Sequence, residues 1–366
     1  MSQVRALDSG FSCGPFLFPE SGSTTKGNLC QSFKTSHTPV SHTWLKMIVA
    51  KDILNLIGNT SIVKINRLTR PTDASVYAKL EYLNPSGSLK DRIALHMIER
   101  AEREGHLKPG YKIVESSTGN TGTALSFVGT LKGYKVLIYE TRPRSMGEEK
   151  ARLMKNYGAE VRLITSEEIE GLKDSSTAGA EIEVPGRRMC LDLEKSRSDV
   201  WWARQFSNPY NIKAHNETGK EILSQLKGRI AAFVASIGTG GTLVGISEVL
   251  RKALPHVRIV GIQPASSKAM ITPGKPYPRS EIQGGIISDM TEKAGLIDKI
   301  VRVSDEDAVN MTRRLWKEEG LFAGVSSGAN ILIALEQAKE LGKGKTVVTV
   351  LPDSGDRYLT EQHYVT

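Results

Sequence analysis

Short apolar runs of strand type alternate with amphipathic helical patterns along most of the chain, from about residue 47 onward. Such alternation is typical of parallel sheets covered by helices on both faces, because each parallel connection needs a crossover element. We therefore expect an α/β fold with open, mostly parallel sheets. The predicted strands are Val76–Leu80, Lys112–Glu115, Lys135–Tyr139, Glu160–Ile164, Ile230–Ser236, Arg258–Ile262 and Thr346–Leu351. The predicted helices are Ile93–Arg103, Thr123–Leu131, Glu148–Asn156, Leu243–Ala253, Asp305–Glu319 and Ile331–Leu341.

Two regions depart from this pattern. Residues 1–46 are rich in Ser, Thr and Gly and lack sustained periodicity, which predicts a flexible leader. A transit-like peptide is one interpretation, but the lack of repeated arginines favours Met47 as the functional beginning. Residues 167–198 are polar and irregular, which predicts an exposed insertion. The remaining length is enough for two packed domains.

Charge and cysteine content narrow the function classes. The net charge of +9 suits an anionic ligand, but acids and bases interleave, so nucleic acid is not an expected partner. No run of about 18 apolar residues occurs, so we expect no membrane span. Cys13, Cys30 and Cys190 form no CxxC pair, which favours a reducing compartment. The seven histidines form no HxxxH or HExxH, so no metal is expected.

A lysine stands near the beginning of one predicted helix. Residues 84–87 predict a turn with Ser88 as the N-cap, which puts Lys90 in the first helical turn. The helix dipole disfavours a cation there by a few tenths to about 1 kcal/mol. Lys90 is therefore a candidate for chemistry, such as an imine to an aldehyde cofactor. The alternative is an exposed lysine whose charge is offset by Asp91.

Three turns rich in glycine and hydroxyl groups precede predicted helices. Residues 116–122 combine hydroxyls with free N–H groups, which suits an anion, and Asn120 could donate to a ring oxygen. Residues 238–242 allow close backbone approach to one phosphate. Leu243 occupies the third glycine position of a dinucleotide fingerprint, which argues against a Rossmann dehydrogenase. Capped helix starts and structural turns are the alternatives, also for residues 324–330.

In this order, these segments resemble the fold-type II pyridoxal-phosphate (PLP) enzymes, and most closely the cysteine synthase and cystathionine β-synthase family. The resemblance implies a smaller α/β domain over residues 47–205 and a larger one over 206–366, with PLP in the cleft between them. Part of residues 62–83 would pack with the larger domain. The resemblance runs from about Ile53 to Tyr358 and includes Gln205–Pro209, His215, Gly219–Ile222, and two segments similar to B-type cysteine synthases, Gly324–Gly328 and Pro352–Leu359.

The resemblance also implies a role for each matched residue. Lys90 would carry PLP and act as the base at the substrate Cα. Asn120 would donate to the cofactor's 3′-oxygen, and Ser326 would face its pyridine nitrogen. The phosphate would contact Gly238, Thr239, Gly240, Gly241 and Thr242, and the substrate α-carboxylate would contact Ser117, Thr118, Gly119 and Thr121.

The implied activity is a transferase reaction in a cytoplasmic homodimer. Sulfide or a related thiol replaces the β-substituent of O-acetylserine or O-phosphoserine, giving L-cysteine through an aminoacrylate intermediate. Replacement of the cystathionine β-synthase or 2,3-diaminopropionate synthase type is an alternative. A non-catalytic PLP-binding paralogue is the alternative of another class.

Two departures from the family pattern leave the substrate open. The family's Thr-Ser-Gly-Asn-Thr is replaced here by Ser-Thr-Gly-Asn-Thr at residues 117–121. Residues 167–198, where the family has a glutamine that assists the carboxylate, contain none. Arg279, in a basic segment, is a candidate contact for the phosphate of O-phosphoserine, and a solvated surface loop is the alternative.

Overall fold

The computed structural model describes residues 49–140, 148–164, 184–266 and 294–360. The predicted leader over residues 1–46 and the candidate Arg279 lie outside these ranges. The described strands are Ile62–Ile65 (β1), Ser75–Leu80 (β2), Lys112–Ser116 (β3), Lys135–Glu140 (β4), Glu160–Leu163 (β5), Val200–Trp202 (β6), Ala232–Ser236 (β7), Arg258–Pro264 (β8), Lys299–Val303 (β9) and Thr346–Leu351 (β10). The helices are Lys90–Arg103 (α1), Asn120–Leu131 (α2), Glu148–Asn156 (α3), Val184–Ser196 (α4), Tyr210–Gln225 (α5), Gly241–Ala253 (α6), Asp305–Arg314 (α7) and Val325–Leu341 (α8). A π-helical turn, Leu315–Glu319, follows α7, and short 3-10 turns lie at Ile53–Leu56, Glu81–Leu83, Ala294–Leu296 and Gly355–Tyr358.

The described strands form two sheets. One has six strands in the order β1-β2-β10-β7-β8-β9, and the other has four in the order β5-β4-β3-β6. The pair β1–β2 is antiparallel, and the other neighbouring pairs are parallel. Strands β7 and β10 are almost wholly buried, as expected for parallel strands with both faces covered. The predicted α/β fold with mostly parallel sheets is confirmed.

An early segment of the chain belongs to the six-stranded sheet. Strand β2 pairs with β10 along its whole length, from Ser75↔Thr346 to Leu80↔Leu351, and β1 continues the sheet on its other side. Residues 62–80 therefore share a hydrophobic core with β7, β8 and α8. The division of the chain at residue 205, with part of residues 62–83 packed against the larger domain, stays a prediction.

The prediction that residues 167–198 form an irregular insertion is wrong for residues 184–196. Residues 184–196 form helix α4, whose Cys190 and Leu191 are buried against β3, β4 and β6. The apolar side of this helix is narrow and is interrupted by charged residues, including a buried Arg187 that lies over the ring of Phe206. The sequence therefore lacks a clear helical period here, and tertiary packing stabilises the helix.

Several helices begin earlier than their apolar periodicity predicts. Helices α1, α2, α6 and α8 start two to six residues before the predicted positions, because their first turns consist of polar or small residues. Their first N–H groups have no partner inside the helix and are available to other groups. Among the described residues, no helix has the length and apolar character needed to cross a bilayer.

Candidate active site

A cavity of about 350 Å³ lies where strands β7, β8 and β10 end and where helices α1, α2, α6 and α8 begin. Its volume falls within the range of about 300–1,000 Å³ that small-molecule sites have. The carboxyl ends of parallel strands are the usual place for a ligand in such folds. The residues that line the cavity include Lys90, Asn120, Gly238, Thr239, Gly240, Thr242 and Ser326.

Lys90 is the first residue of helix α1, and its side chain is half-buried at the cavity. Leu89, the residue before the helix, already has helical backbone angles (φ −59°, ψ −15°), and its side chain makes no capping hydrogen bond. The predicted N-cap residue Ser88 supplies that bond, because its hydroxyl accepts from the Lys90 N–H at 3.3 Å. Ile93 and Met97, both fully buried, fix the helix against the core, so the position of Lys90 is rigidly defined.

Asp91 stabilises the turn in front of Lys90. Its buried carboxylate accepts from the Ser86 N–H at 2.6 Å and from the Ser86 hydroxyl. Burial raises the pKa of Asp91 to about 6, although the hydrogen bonds from Ser86 oppose that shift. Asp91 therefore belongs to the architecture of the loop that carries the lysine.

The loop over residues 238–242 leads into helix α6 and leaves space beside part of its backbone. Gly240 is the N-cap of α6 with φ +91°, a left-handed conformation that favours glycine. A Cβ added at Gly238 would meet no heavy atom within 4 Å, so packing does not require glycine there and space remains beside the backbone. The Thr239 hydroxyl accepts from Asn211 Nδ2 at 3.3 Å, which holds the loop from behind. Gly241, the first residue of α6, is buried and does not line the cavity.

A buried histidine orients the last residue of this loop. His215 Nε2 lies 3.2 Å from the Thr242 hydroxyl, and His215 Nδ1 lies 3.4 Å from the Thr218 hydroxyl. Burial lowers the pKa of His215 well below its ordinary value, and the nearby charge of Lys90 lowers it further. His215 is therefore neutral at physiological pH, and it fixes the Thr242 side chain without adding a charge.

Asn120 and Ser326 stand at two other helix starts on the cavity wall. The Asn120 amide donates from Nδ2 to Asp353 Oδ2 at 2.6 Å and accepts at Oδ1 from Arg357 Nη1 at 2.7 Å. Ser326 lies in the first turn of α8 and is half-buried. Within the described part of the chain, its hydroxyl makes no hydrogen bond, so it is available to a ligand.

Some polar groups of the predicted carboxylate-binding loop form hydrogen bonds within the protein. The Ser117 hydroxyl accepts from the N–H groups of Gly119 at 3.2 Å and Gly122 at 3.0 Å. The Thr121 hydroxyl donates to Gln205 Oε1 at 2.6 Å. None of Ser117, Thr118, Gly119 and Thr121 lines the cavity wall, so their contact with a substrate stays a prediction.

Comparison with known proteins decides the family. The profile of the family described as "Pyridoxal-phosphate dependent enzyme" matches residues 53–353. The chain belongs to this family. A cysteine synthase of Staphylococcus aureus is 45% identical over 318 residues, which are 86% of this chain and 96% of that protein.

Solved structures of other PLP-enzyme relatives have the same fold. O-acetyl serine sulfhydrylase isoform 3 from Entamoeba histolytica has a TM-score of 0.74 at 33% identity, covering 88% of this chain and 93% of that one. An O-ureido-L-serine synthase has a TM-score of 0.73 at 33% identity, covering 87% and 96%. An O-acetylserine dependent cystathionine β-synthase from Helicobacter pylori has a TM-score of 0.72 at 31% identity, covering 87% and 100%. The chain is a fold-type II PLP enzyme of the cysteine synthase class.

The described residues fit PLP. The cavity brings together the Lys90 side chain, space beside Gly238, the start of α6 at Gly240 and Thr242, and the available hydroxyl of Ser326. The lysine amine can react with the aldehyde of PLP, and the glycine-rich start of α6 allows the backbone to approach its phosphate. The serine hydroxyl can form a hydrogen bond with its ring nitrogen. Lys90, the loop over residues 238–242, Asn120 and Ser326 are therefore the residues that would hold the cofactor.

Three residues of the closing segment belong to the cavity region, although sequence reasoning assigned them no role. Asp353 and Tyr358 line the cavity, and Tyr358 donates from its hydroxyl to Asp353 Oδ2 at 2.6 Å. Arg357 is buried and contacts Asn120. The segment over residues 352–359 carried part of the family resemblance, so a signal for these residues was present. In the described ranges, no group of three or more His, Cys, Asp or Glu residues could hold a metal ion.

Proposed function

We propose that this enzyme replaces the β-substituent of an activated serine with sulfide and so forms L-cysteine. One observation carries the proposal: a single cavity is lined by Lys90, Asn120, Ser326 and most of the loop over residues 238–242. The 45% identity to a cysteine synthase over almost its whole length supports the same reaction. O-acetylserine is the proposed donor, because two structural relatives are named for it.

Each residue has a proposed task in this reaction. When bound, PLP supplies an acceptor for the electron pair that the departing Cα proton leaves behind. Lys90 would hold the cofactor, and its Nζ would take the proton from the Cα of the bound substrate. The N–H groups around Gly240 and the hydroxyl of Thr242 bind the phosphate. The Ser326 hydroxyl offers the ring nitrogen a neutral hydrogen bond, which suits elimination of the β-substituent.

The loop over residues 117–121 is the proposed site of the substrate α-carboxylate. It leads into α2 and includes the first two residues of that helix, whose N-terminal end favours an anion. Its own hydroxyls stabilise the loop, so we propose that backbone N–H groups supply most contacts. The homodimer and the cytoplasmic location implied by the family resemblance are also proposals, and light scattering of the purified protein tests the first.

The experiment is an assay of L-cysteine formation from O-acetylserine and sulfide by the purified full chain loaded with PLP. Lys90→Ala is the matched negative control, since it removes the amine and leaves the rest of the cavity intact. Cysteine formation that depends on Lys90 supports the proposal. A wild-type protein that binds PLP but forms no cysteine from O-acetylserine contradicts the proposed donor, and a protein that also fails with O-phosphoserine contradicts cysteine formation.

O-phosphoserine is the alternative donor, and Arg279 is the proposed contact for its phosphate. A phosphate needs cationic donors, and one charge-assisted hydrogen bond is worth about 1.5–3 kcal/mol. Arg279→Ala is then expected to lower kcat/KM for O-phosphoserine by roughly tenfold to a hundredfold and to leave O-acetylserine turnover unchanged. Equal losses of kcat/KM with both donors would show that Arg279 does not contact the phosphate of O-phosphoserine.

A further inference from the structure

The Asn120 side chain has a fixed orientation because of the two charged groups that hold it. A guanidinium group has donors and no acceptor, so the amide atom 2.7 Å from Arg357 Nη1 must be the oxygen. The amide nitrogen then faces Asp353 Oδ2 at 2.6 Å, where a carboxylate accepts one of its two hydrogens. The other hydrogen of Nδ2 remains for a group in the cavity that Asn120 lines.

Arg357 is itself held in place from several sides. It lies in the 3-10 turn Gly355–Tyr358 and is only 2% exposed. Its Nη2 donates to the carbonyl oxygen of Ser86, in the loop that leads to Lys90. A Cβ added at Gly87, where φ is +87°, would lie 3.1 Å from Nη2, so this glycine makes room for the guanidinium. Arg357 therefore joins the closing segment, the lysine loop and Asn120.

We propose that Arg357 is a positioning residue that makes Asn120 present an N–H, and not a carbonyl oxygen, to the cofactor. The inference rests on the proposed role of Asn120 as donor to the ring oxygen of PLP. That oxygen is an acceptor, so an amide turned the other way would oppose two oxygens and lose the hydrogen bond. Arg357 prevents this rotation because it accepts no hydrogen bond from Nδ2.

A double-mutant cycle separates this role from a merely structural one. The variants are Arg357→Lys, Asn120→Ala and the pair of both, with Asp356→Asn as the control at an exposed position on the same turn. Lysine keeps the charge but not the planar fork that holds the amide. The measurements are the dissociation constant of PLP, the visible absorption of the loaded protein against pH, and the melting temperature of the cofactor-free protein.

We expect Arg357→Lys to weaken PLP binding on the order of tenfold, or about 1.4 kcal/mol, when Asn120 is present. In the Asn120→Ala background the same change is expected to weaken binding by less than about twofold, because no amide remains to orient. The pH dependence of the absorption should shift in the single lysine variant and not in Asp356→Asn. The melting temperature of the cofactor-free protein should fall in both backgrounds, because Arg357 also holds the carbonyl of Ser86, which both retain.

Asn120→Asp gives a second test that leaves Arg357 in place. It keeps the shape and the acceptor for Arg357 but puts an oxygen where Nδ2 stands. That oxygen cannot donate to the cofactor and opposes the Asp353 carboxylate, so PLP binding is expected to weaken more than in Asn120→Ala. Unchanged PLP affinity in Asn120→Asp, or equal effects of Arg357→Lys in both backgrounds, overturns the inference. If the wild type binds PLP and forms cysteine in the assay with O-acetylserine and sulfide, the proposed function survives that failure. If the wild type binds no PLP, the proposed function fails first.

Discussion

Glu221, on helix α5, links the helix that carries Lys90 to strand β2, and its neutralisation is a demanding test of this packing. Its carboxylate accepts from Lys79 Nζ at 2.6 Å, on β2, and from Arg92 Nη1 at 2.7 Å, two residues after Lys90. It also accepts from the Asn59 N–H at 3.0 Å. Lys79 is fully buried, so Glu221→Gln would leave that ammonium without its countercharge.

The loss of stability in Glu221→Gln depends on the burial of the ion pairs and on the partners that Lys79 and Arg92 keep. Removing one partner of a buried ion pair costs about 3–5 kcal/mol. The lower end applies, because Glu221 is 14% exposed and Arg92 keeps its second partner, Glu81, at 2.7 Å. We therefore expect Glu221→Gln to lower the free energy of unfolding by about 3 kcal/mol at neutral pH. At about 2 °C per kcal/mol for a large domain, the melting temperature should fall by ~6 °C.

The matched control is Glu217→Gln on the same helix. Glu217 pairs with Lys220 at 2.7 Å, but both side chains are 62% exposed, and exposed pairs contribute about 0–1 kcal/mol. Urea unfolding of the cofactor-free full chain measures both variants against the wild type. Equal losses for the two substitutions would refute the reasoning, because burial would then have no influence on the cost.

The pH dependence gives an independent check. Burial opposes ionisation of Glu221, but hydrogen bonds and charge from Arg92 and Lys79 outweigh it and lower the pKa to about 2 from the ordinary 4.5. A depressed carboxyl pKa stabilises the fold above the unfolded value and loses that effect as the pH falls through the folded one. The difference between wild type and Glu221→Gln should therefore be full above pH 4.5 and shrink toward pH 2.

Two further predictions concern the cofactor. Lys90→Ala should abolish the covalent PLP adduct that borohydride reduction and peptide mapping detect, and a reduced adduct on another lysine would disprove the assignment. Gly240→Asp should weaken PLP binding by at least about a hundredfold, because it adds a negative charge beside the phosphate and a side chain at φ +91°. Circular dichroism controls for folding, and a folded variant with unchanged affinity would show that this loop does not bind the phosphate.

The sequence predicted the elements whose pattern is local. The seven predicted strands all correspond to observed strands, with ends that differ by two residues or fewer, because each is an apolar run bounded by polar turns. Lys90 was likewise placed in the first turn of α1. Helix α5 and strands β1, β6 and β9 were not predicted. Helix α4 was missed as well, since its apolar side is narrow and its stability comes from burial of residues such as Cys190.

The early helix starts show why site residues are hard to place by periodicity alone. Asn120 and Gly241 are the first residues of α2 and α6, yet the apolar pattern begins two or three residues later. A helix start that meets a ligand must leave its N–H groups accessible and its first side chains polar or small. The features that suit these residues to a ligand therefore remove the apolar period by which a helix is recognised.

The contact between Arg357 and Asn120 spans 237 residues and has no local signature, but the strand order accounts for half of it. Strands β2 and β10 are parallel neighbours that end together at Leu80 and Leu351. The loops that follow them must therefore run side by side, and they do: the Leu89 N–H donates to the Pro352 carbonyl at 2.8 Å. This adjacency brings Arg357 to the carbonyl of Ser86.

Asn120 reaches the same place from the four-stranded sheet, at the start of the helix after β3. A residue in the loops of the other sheet, Arg357, thus sets the orientation of the Asn120 amide. A change in how the two sheets are held together should therefore alter cofactor binding at a smaller perturbation than is needed to alter the fold of either sheet.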